Sequence, residues 1–565
     1  MAVDRRWPAL HAQWAGGAGR SPVSGTGAAP PLPVALVLAA VGGGMTWSAF
    51  PGALGTGGVW PASVVGVCAL VLATRGRRAR AGLGVGLVFG LAFLVPHLAW
   101  SGTYVGLLPW VALATACAGF YAVLGAVMPF LQRLPAGWSI VAVTGGWVAI
   151  EAARARVPFG GFPWGRLAFS QVDSPAAGWA AVGGAPLVTA AVVAAGTALA
   201  LAVLAAAAAA GTGGRAPSAS PRSAVVASRA VVLTLTAVLV LAAGAMVPRP
   251  SAPQAGTAQV AAVQGNVPRP GLDFNAERRA VLDNHVQATL EYAREVQVGA
   301  APRPDLVLWP ENASDIDPYL DDKARRDIEA TARAVQAPLL VGAVLDGPGE
   351  YLSNAGLVVT PDQGLEGATA APGRSYVKRQ PAPFGEYIPY RDFFRLFSDK
   401  VDLVARDFLP GTKGGVVVMG GVRVGDVICF EVAFDDLVRD SVRAGAQMLV
   451  VQTNNATFGY SDEAVQQLAM SRLRAIETGR AVVQISTVGV SSIIAPDGSA
   501  PVRTDLFTQA VLRGEVPLRT SQTLATRLGP VPEVVLGAGV LLPLVSRWSR
   551  RRRSHRQRGG SGRQP

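Results

Sequence analysis

A helical membrane domain, then an α/β layered domain, then one closing membrane helix is the fold class that this sequence predicts. Three observations predict it. Half of the 565 residues are hydrophobic and only 15% are charged, against roughly 25% charged in soluble domains. Apolar segments of about the length that crosses a bilayer crowd the first 250 residues. From about residue 256 to 520 the pattern changes to short β-type runs with helical stretches between them, the signature of an α/β layered domain.

The elements follow in chain order. Residues 1–30 are rich in Gly, Ala, Ser and Pro and carry Arg5, Arg6 and Arg20; they read as a disordered cytoplasmic arm, too polar for a signal peptide. Apolar segments lie at 33–50, 58–74, 82–100, 106–130, 138–153, 180–210 and 230–247, with an eighth near 530–546. Eight spans are therefore expected, seven in a membrane domain of residues 31–250 and the last at 526–547. Gly82, Gly84, Gly86 and Gly90 sit inside the third segment with no soluble strand before them, so they predict close helix packing and not a nucleotide loop.

Loop charge sets the orientation. Arg75, Arg77, Arg78 and Arg80 lie between segments two and three, Arg133 between four and five, and Arg215, Arg222 and Arg229 between six and seven. All fall on one side, which the positive-inside rule makes cytoplasmic. Arg154, Arg156 and Arg166, after segment five, are the exception on the outer side. Residues 251–525 are then extracytoplasmic. The eight arginines from Arg547 to Arg563 belong to a basic cytoplasmic tail at 548–565 and its approach. This placement accounts for much of the net charge of +13, and no aromatic-basic motif points to nucleic acid.

In the α/β domain, strands are expected at Ala258–Val263, Leu306–Trp309, Leu339–Val344, Gly356–Val359, Val424–Ile428, Met448–Gln452 and Val482–Ile485. Helices are expected at Glu277–Val298 and Ser461–Thr478, the second with Ser461 as N-cap and Gly479 as its stop. Of three cysteines, Cys68 and Cys117 lie in apolar segments and Cys429 stands alone in the polar half. That distribution predicts no disulfide framework, and four scattered histidines predict neither a metal site nor a cofactor.

Three polar residues follow apolar strands: Glu311 after Asp305-Leu-Val-Leu-Trp-Pro, Lys378 in Tyr376-Val-Lys-Arg, and Cys429 after Val424-Gly-Asp-Val-Ile. Strand ends in α/β domains converge where active sites form. A carboxylate, an ammonium and a thiol can together run acyl chemistry: the carboxylate takes the thiol proton, and the ammonium, with a backbone N–H beside the cysteine, stabilises the oxyanion. Taken singly each has a plainer reading, as a small core thiol, a strand end turning to solvent and a surface lysine.

Local sequence favours the joint reading. Leu308-Trp-Pro-Glu-Asn-Ala, Lys378 ahead of Pro383-Phe-Gly-Glu, and Ile428-Cys-Phe-Glu resemble the nitrilase superfamily. Gly161-Phe-Pro-Trp, Phe169-Ser-Gln-Val-Asp, Val263-Gln-Gly-Asn-Val-Pro, Thr453-Asn-Asn-Ala-Thr-Phe-Gly and Arg474-Ala-Ile-Glu-Thr-Gly-Arg resemble its membrane branch, the apolipoprotein N-acyltransferases. The resemblance covers nearly the whole chain. It implies an αββα sandwich with Glu311 as base, Lys378 as oxyanion stabiliser and Cys429 as nucleophile, supported by Glu386, which helps hold the lysine, and by Phe430 and Glu431 beside the cysteine. Two departures stand out: Thr457 where the family often has Trp, and Thr487-Val488 in place of an Asn pair. They bear on acyl or acceptor preference more than on the triad.

The implied reaction is ping-pong. Cys429 takes an acyl chain from a membrane phospholipid, and the α-amino group of a diacylglyceryl-modified apolipoprotein then attacks the thioester. Two rivals are a membrane-anchored amidase, which needs no phospholipid to turn over, and a non-catalytic scaffold, which tolerates loss of Cys429. The stretch from Phe384 to Phe408 holds Phe384, Tyr387, Tyr390, Phe393, Phe394, Phe397 and Phe408. It reads either as core or as a flap dipping into the outer leaflet; flap protection unchanged by lipid would count against the second.

Overall fold

The structure is a computed structural model that describes residues 29–55, 57–211, 221–268, 277–370, 373–542 and 545. The basic tail and all but the end of the N-terminal arm lie outside them. The apolar segments become helices α1 (Leu32–Ser48), α2 (Pro61–Thr74), α3 (Ala79–His97), α4 (Leu107–Leu131), α5 (Ala136–Arg154), α6 (Ala180–Gly211) and α7 (Pro221–Ala242). Among the described residues, five stretches are long and apolar enough to cross a bilayer: Ala79–His97, Leu107–Leu131, Ala136–Arg154, Pro175–Ala210 and Val225–Met246. Leu32–Ser48, Pro61–Thr74 and Val531–Leu541 are apolar but shorter.

The glycine run packs α3 on α4, although not with every glycine. A Cβ on Gly82 would lie 2.2 Å from the Gly125 carbonyl oxygen, and one on Gly86 2.1 Å from that of Tyr121. Gly90 meets Ala118, whereas Gly84 faces open space. The packing stripe is thus the four-residue repeat, the spacing that keeps residues on one helix face.

The α/β domain holds β1 (Thr257–Gln264), α8 (Arg278–Gln297), β2 (Leu306–Leu308), α9 (Asp322–Val335), β3 (Leu339–Asp346), β4 (Leu352–Val359), α10 (Glu366–Ala370), β5 (Ser375–Val377) and α11 (Arg391–Arg395). It continues with β6 (Val416–Met419), β7 (Val422–Ile428), α12 (Asp435–Arg443), β8 (Met448–Thr453), α13 (Glu463–Thr478), β9 (Val482–Ser486), β10 (Ser492–Ile494), β11 (Val502–Arg503), β12 (Ala510–Pro517), α14 (Leu524–Leu528) and α15 (Val531–Ala538). Every expected strand is present. The alternation of apolar residues did not disclose the short or edge strands β5, β6, β10, β11 and β12. Ser461 is not the N-cap of α13: Asp462 holds that position, without a side-chain cap bond. Gly479 does end the helix, at φ +63°.

Among the described residues two six-stranded sheets form, in the orders β12-β1-β2-β3-β4-β5 and β11-β10-β9-β8-β7-β6. Strand periodicity of two explains the layers. On β1, Val260 and Ala262 join Leu306, Leu308, Ile428, Val450 and Val483 in a core between the sheets. Ala261 and Val263 face the other way, onto Leu282 of α8 and Ile328 of α9. The outer face of the second sheet packs under α12 and α13, and that layer shares one apolar cluster with the helical bundle, from Phe89 and Trp147 to Phe430, Val438 and Leu473. The sandwich therefore rests on the bundle through α12 and α13, next to the turn after β7.

Candidate active site

The three strand-end residues meet between the sheets. Glu311 follows β2 and Lys378 follows β5, both in the first sheet, while Cys429 follows β7 in the second. Lys378 Nζ lies 3.0 Å from Glu311 Oε1 and 2.8 Å from Glu386 Oε2. Burial alone would discharge this lysine, yet Glu311 and Glu386 overrule burial and hold its ionisation well above the usual lysine range. It is an ammonium clasped by two carboxyl groups.

Glu311 is held at both oxygens. Asn354 Nδ2 donates to Oε1 at 2.8 Å and to Glu386 Oε1 at 2.9 Å, and the Asn454 backbone N–H donates to Glu311 Oε2 at 2.9 Å. Thr453, one residue earlier, donates its hydroxyl toward Cys429 Sγ at 3.4 Å. Two adjacent residues at the end of β8 thus hold the acid and the thiol side by side. Sequence reasoning missed Asn354 and Thr453. Asn354 had one available signal, a buried polar side chain ahead of the apolar run Ala355–Val359 on β4.

Cys429 sits at φ +53°, a left-handed conformation that non-glycine residues adopt at a cost of about 1–3 kcal/mol. The kink opens the turn Cys429–Ala433 and leaves the thiol half-buried at the site. Desolvation and the Glu311 charge push its ionisation upward, against Lys378 and the Thr453 hydrogen bond. A thiol held protonated needs a base that takes its proton as it attacks.

Glu431 anchors the turn. It is fully buried and accepts from the backbone N–H groups of Ile428 (2.9 Å), Arg379 (2.7 Å) and Gln380 (3.1 Å), and from Tyr376 Oη at 2.8 Å. The turn that carries Cys429 is thereby fastened to the strand end that carries Lys378. Phe430 points away from the thiol chemistry and stacks on Phe162 and Trp164 of the loop after α5.

The two departures lie close by. Thr487 Oγ1 donates to the Glu311 backbone carbonyl at 3.0 Å, so this residue braces the acid. Thr457 sits in a short helical turn whose next residue, Phe458, packs edge-on against Trp100 at 5.0 Å. Further round, Asn455 Nδ2 donates to Glu463 Oε2 at 2.5 Å, and burial raises this carboxyl to about 8. The aromatic stretch is not core: Tyr390, Phe393 and Phe397 are 76%, 55% and 64% exposed. Among the described residues, no cluster of His, Cys, Asp and Glu could hold a metal ion.

Comparison with known proteins follows the same division of the chain. The model of the apolipoprotein N-acyltransferase N-terminal domain matches residues 42–198, and that of the carbon-nitrogen hydrolases matches residues 259–526. The chain is 42% identical to an apolipoprotein N-acyltransferase of Mycolicibacterium smegmatis over 536 residues, covering 90% of this chain and 84% of the relative. It is 30% identical to one of Geobacter metallireducens over 508 residues, covering 87% and 92%. Among solved structures, a mutant of the Nesterenkonia AN1 amidase from the nitrilase superfamily is similar at 20% identity and a TM-score of 0.36, over 50% of this chain and 97% of that one. With both halves matched in order and these relatives aligned over most of their length, the chain belongs to the apolipoprotein N-acyltransferase family.

Proposed function

We propose that this chain transfers a fatty acyl group from a membrane phospholipid, through a thioester on Cys429, to the α-amino group of a diacylglyceryl-cysteine at the N-terminus of an apolipoprotein. Family membership makes it a bacterial membrane acyltransferase of lipoprotein maturation; the donor, the thioester and the residue roles are our reading. One observation carries it: consecutive residues, Thr453 and Asn454, hold the Cys429 thiol and the Glu311 carboxyl together beside the Lys378 ammonium.

Each step balances. Glu311 accepts the thiol proton as sulfur attacks the phospholipid ester, and Lys378 stabilises the tetrahedral oxyanion. Collapse breaks the ester C–O bond, the proton passes from Glu311 to the leaving alkoxide, and lysophospholipid departs. The neutral amine then attacks the thioester and Glu311 takes its proton. Collapse breaks the C–S bond, forms the amide and returns the proton to sulfur. Glu386 keeps Lys378 in place, and Glu431 with Phe430 fixes the nucleophile turn.

The topology belongs to the same proposal. Eight spans arise when the three shorter apolar helices cross together with the five long ones. The N-terminal arm (1–30) and basic tail (548–565) are cytoplasmic, residues 31–250 and 526–547 lie in the membrane, and residues 251–525 are extracytoplasmic. The arginines at 75–80 and Arg133 support that orientation. The exposed rings of Phe384, Tyr390, Phe393 and Phe397 support a lipid-facing flap over the site.

Intact-protein mass measurement on enzyme from native membranes tests the chemistry. A fatty-acyl adduct is expected on the wild type, removed by neutral hydroxylamine, discharged by a diacylglyceryl peptide and absent from Cys429→Ala. No adduct after phospholipid is supplied would overturn the reading and favour an amidase.

A further inference from the structure

Arg154, Arg156 and Arg166 broke the orientation rule, and their surroundings give them a different task. Arg154 and Arg166 are 1% and 2% exposed. Arg154 ends α5 and donates through Nη1 to the carbonyls of Phe162 and Trp164, whose rings stack on Phe430 beside Cys429. Arg156 reaches Glu533 of α15 at 2.5 Å. Arg166, in the loop after α5, donates to Asp435 Oδ2 at 2.7 Å, and its other nitrogens lie 3.7 Å from Glu151 of α5 and 3.6 Å from Glu533.

Asp435 opens α12, directly after the nucleophile turn. Its second oxygen lies 2.8 Å from Arg474 of α13. That guanidinium also donates to the Val432 and Ala433 carbonyls at 2.8 and 2.9 Å and pairs with Glu477. The two guanidiniums hold Asp435 well below the usual carboxylate range despite its burial. Glu151 is tied to the bundle by Trp147 Nε1 at 3.2 Å and Thr189 Oγ1 at 2.8 Å. An unbroken chain of buried charge thus runs from transmembrane helix α5 through Arg166 and Asp435 to Arg474 and the turn that starts at Cys429.

We propose that Arg166 is a positioning residue for acyl transfer: by gripping Asp435 it locks the Cys429 turn to the helical bundle, and so to the depth at which the bilayer presents the phospholipid ester. The inference rests on the reading of function given above. Arg474 secures the turn from within the α/β domain, so loss of Arg166 spares the thiol's own chemistry and disturbs its registration with the membrane. Burial fits this role, since a guanidinium stays charged and its planar fork serves several carboxylates at once.

The test uses full-length enzyme in phospholipid vesicles and two readouts. The first is the rate at which Cys429 is acylated by bilayer phospholipid; the second is its alkylation by water-soluble iodoacetamide. For Arg166→Gln, acylation falls about tenfold or more at saturating lipid, in line with the cost of a small misplacement of reacting groups, while alkylation stays within about twofold. Arg474→Gln lowers both. Arg166→Lys keeps the charge but loses the fork and recovers part of the acylation rate; it also serves if the glutamine variant fails to insert. Unchanged acylation in Arg166→Gln overturns the proposal, and so does a parallel fall in both rates, which marks a merely structural role. If wild-type enzyme is alkylated but never acylated, the reading of function has failed instead, and this inference falls with it.

Discussion

Two clusters of buried charge flank the Cys429 turn, and they are built in opposite senses. At the candidate site one ammonium, Lys378, lies between two carboxyl groups, Glu311 and Glu386. At the junction with the bundle one carboxylate, Asp435, lies between two guanidiniums, Arg166 and Arg474. Desolvation penalises both, and each survives because opposite charges and hydrogen bonds satisfy it. The difference lies in which groups can change state. In the proposed reaction Glu311 carries the proton between reactants and Lys378 answers the oxyanion. At the junction the groups that grip the turn are guanidiniums that never deprotonate and an aspartate held deep in its charged range, with Glu151, Glu477 and Glu533 paired around them. One cluster suits chemistry and the other suits fixed geometry.

Breaking the first cluster should therefore cost the most. Glu311→Gln keeps the shape and removes the proposed base, so thioester formation should fall about 10²–10⁴-fold. Lys378→Met removes the cation proposed to face the oxyanion, with an expected loss of about 10²–10³-fold in the acylation rate. Quenched intact-mass time courses read both. A loss under about tenfold in either variant would show that the cluster is structural and erase the contrast with the junction.

Much of this site was legible in the sequence, because strand-end polar residues announce themselves against apolar runs. Glu311, Lys378 and Cys429 stood out for that reason, and Glu386, Phe430 and Glu431 came with the family resemblance. The bracing residues were less legible. Asn354 acts from β4, with β3 between it and the strand that leads to Glu311, and Thr487 reaches Glu311 through its backbone carbonyl, which no side-chain pattern encodes. The junction was visible only as an anomaly. Arg154, Arg156 and Arg166 looked misplaced because the positive-inside rule treats loop arginines as solvated charges, and partners as remote in sequence as Asp435 and Glu533 emerge only from packing. The layered domain was readable through its buried central strands. Edge strands such as β5, β6 and β11 were not, being short and, in β11, exposed at both residues.

Protonation offers a second way to sharpen the contrast. Glu463 belongs to the site side through Asn455 and Gln467. Burial lifts it from an ordinary 4.5 to about 8, so the folded state holds this proton more tightly than the unfolded chain. Its stabilising effect is complete below about pH 4.5 and is lost as pH rises toward and through 8. Glu463→Gln should then match wild type in thermal midpoint near pH 5 and exceed it increasingly up to pH 9. A difference between the two proteins that does not vary with pH would defeat this assignment.

The smallest effect is expected from a residue two positions from Arg474 on the same helix. Arg472 also bridges α13 to the membrane domain, reaching Asp173 at 2.7 Å, but Asp173 is 53% exposed. Water solvates that pair in the unlinked state nearly as well as the partner does, so exposed bridges contribute at most about 1 kcal/mol. Arg472→Ala should leave the acylation rate within about twofold and the stability within that same margin. The comparison with Arg166→Gln is then controlled for partner type, since both arginines join the α/β domain to the same loop region through an aspartate. If Arg472→Ala slows acylation as much as Arg166→Gln does, burial is not what gives the junction its grip. Any tether between the domains would then serve equally well.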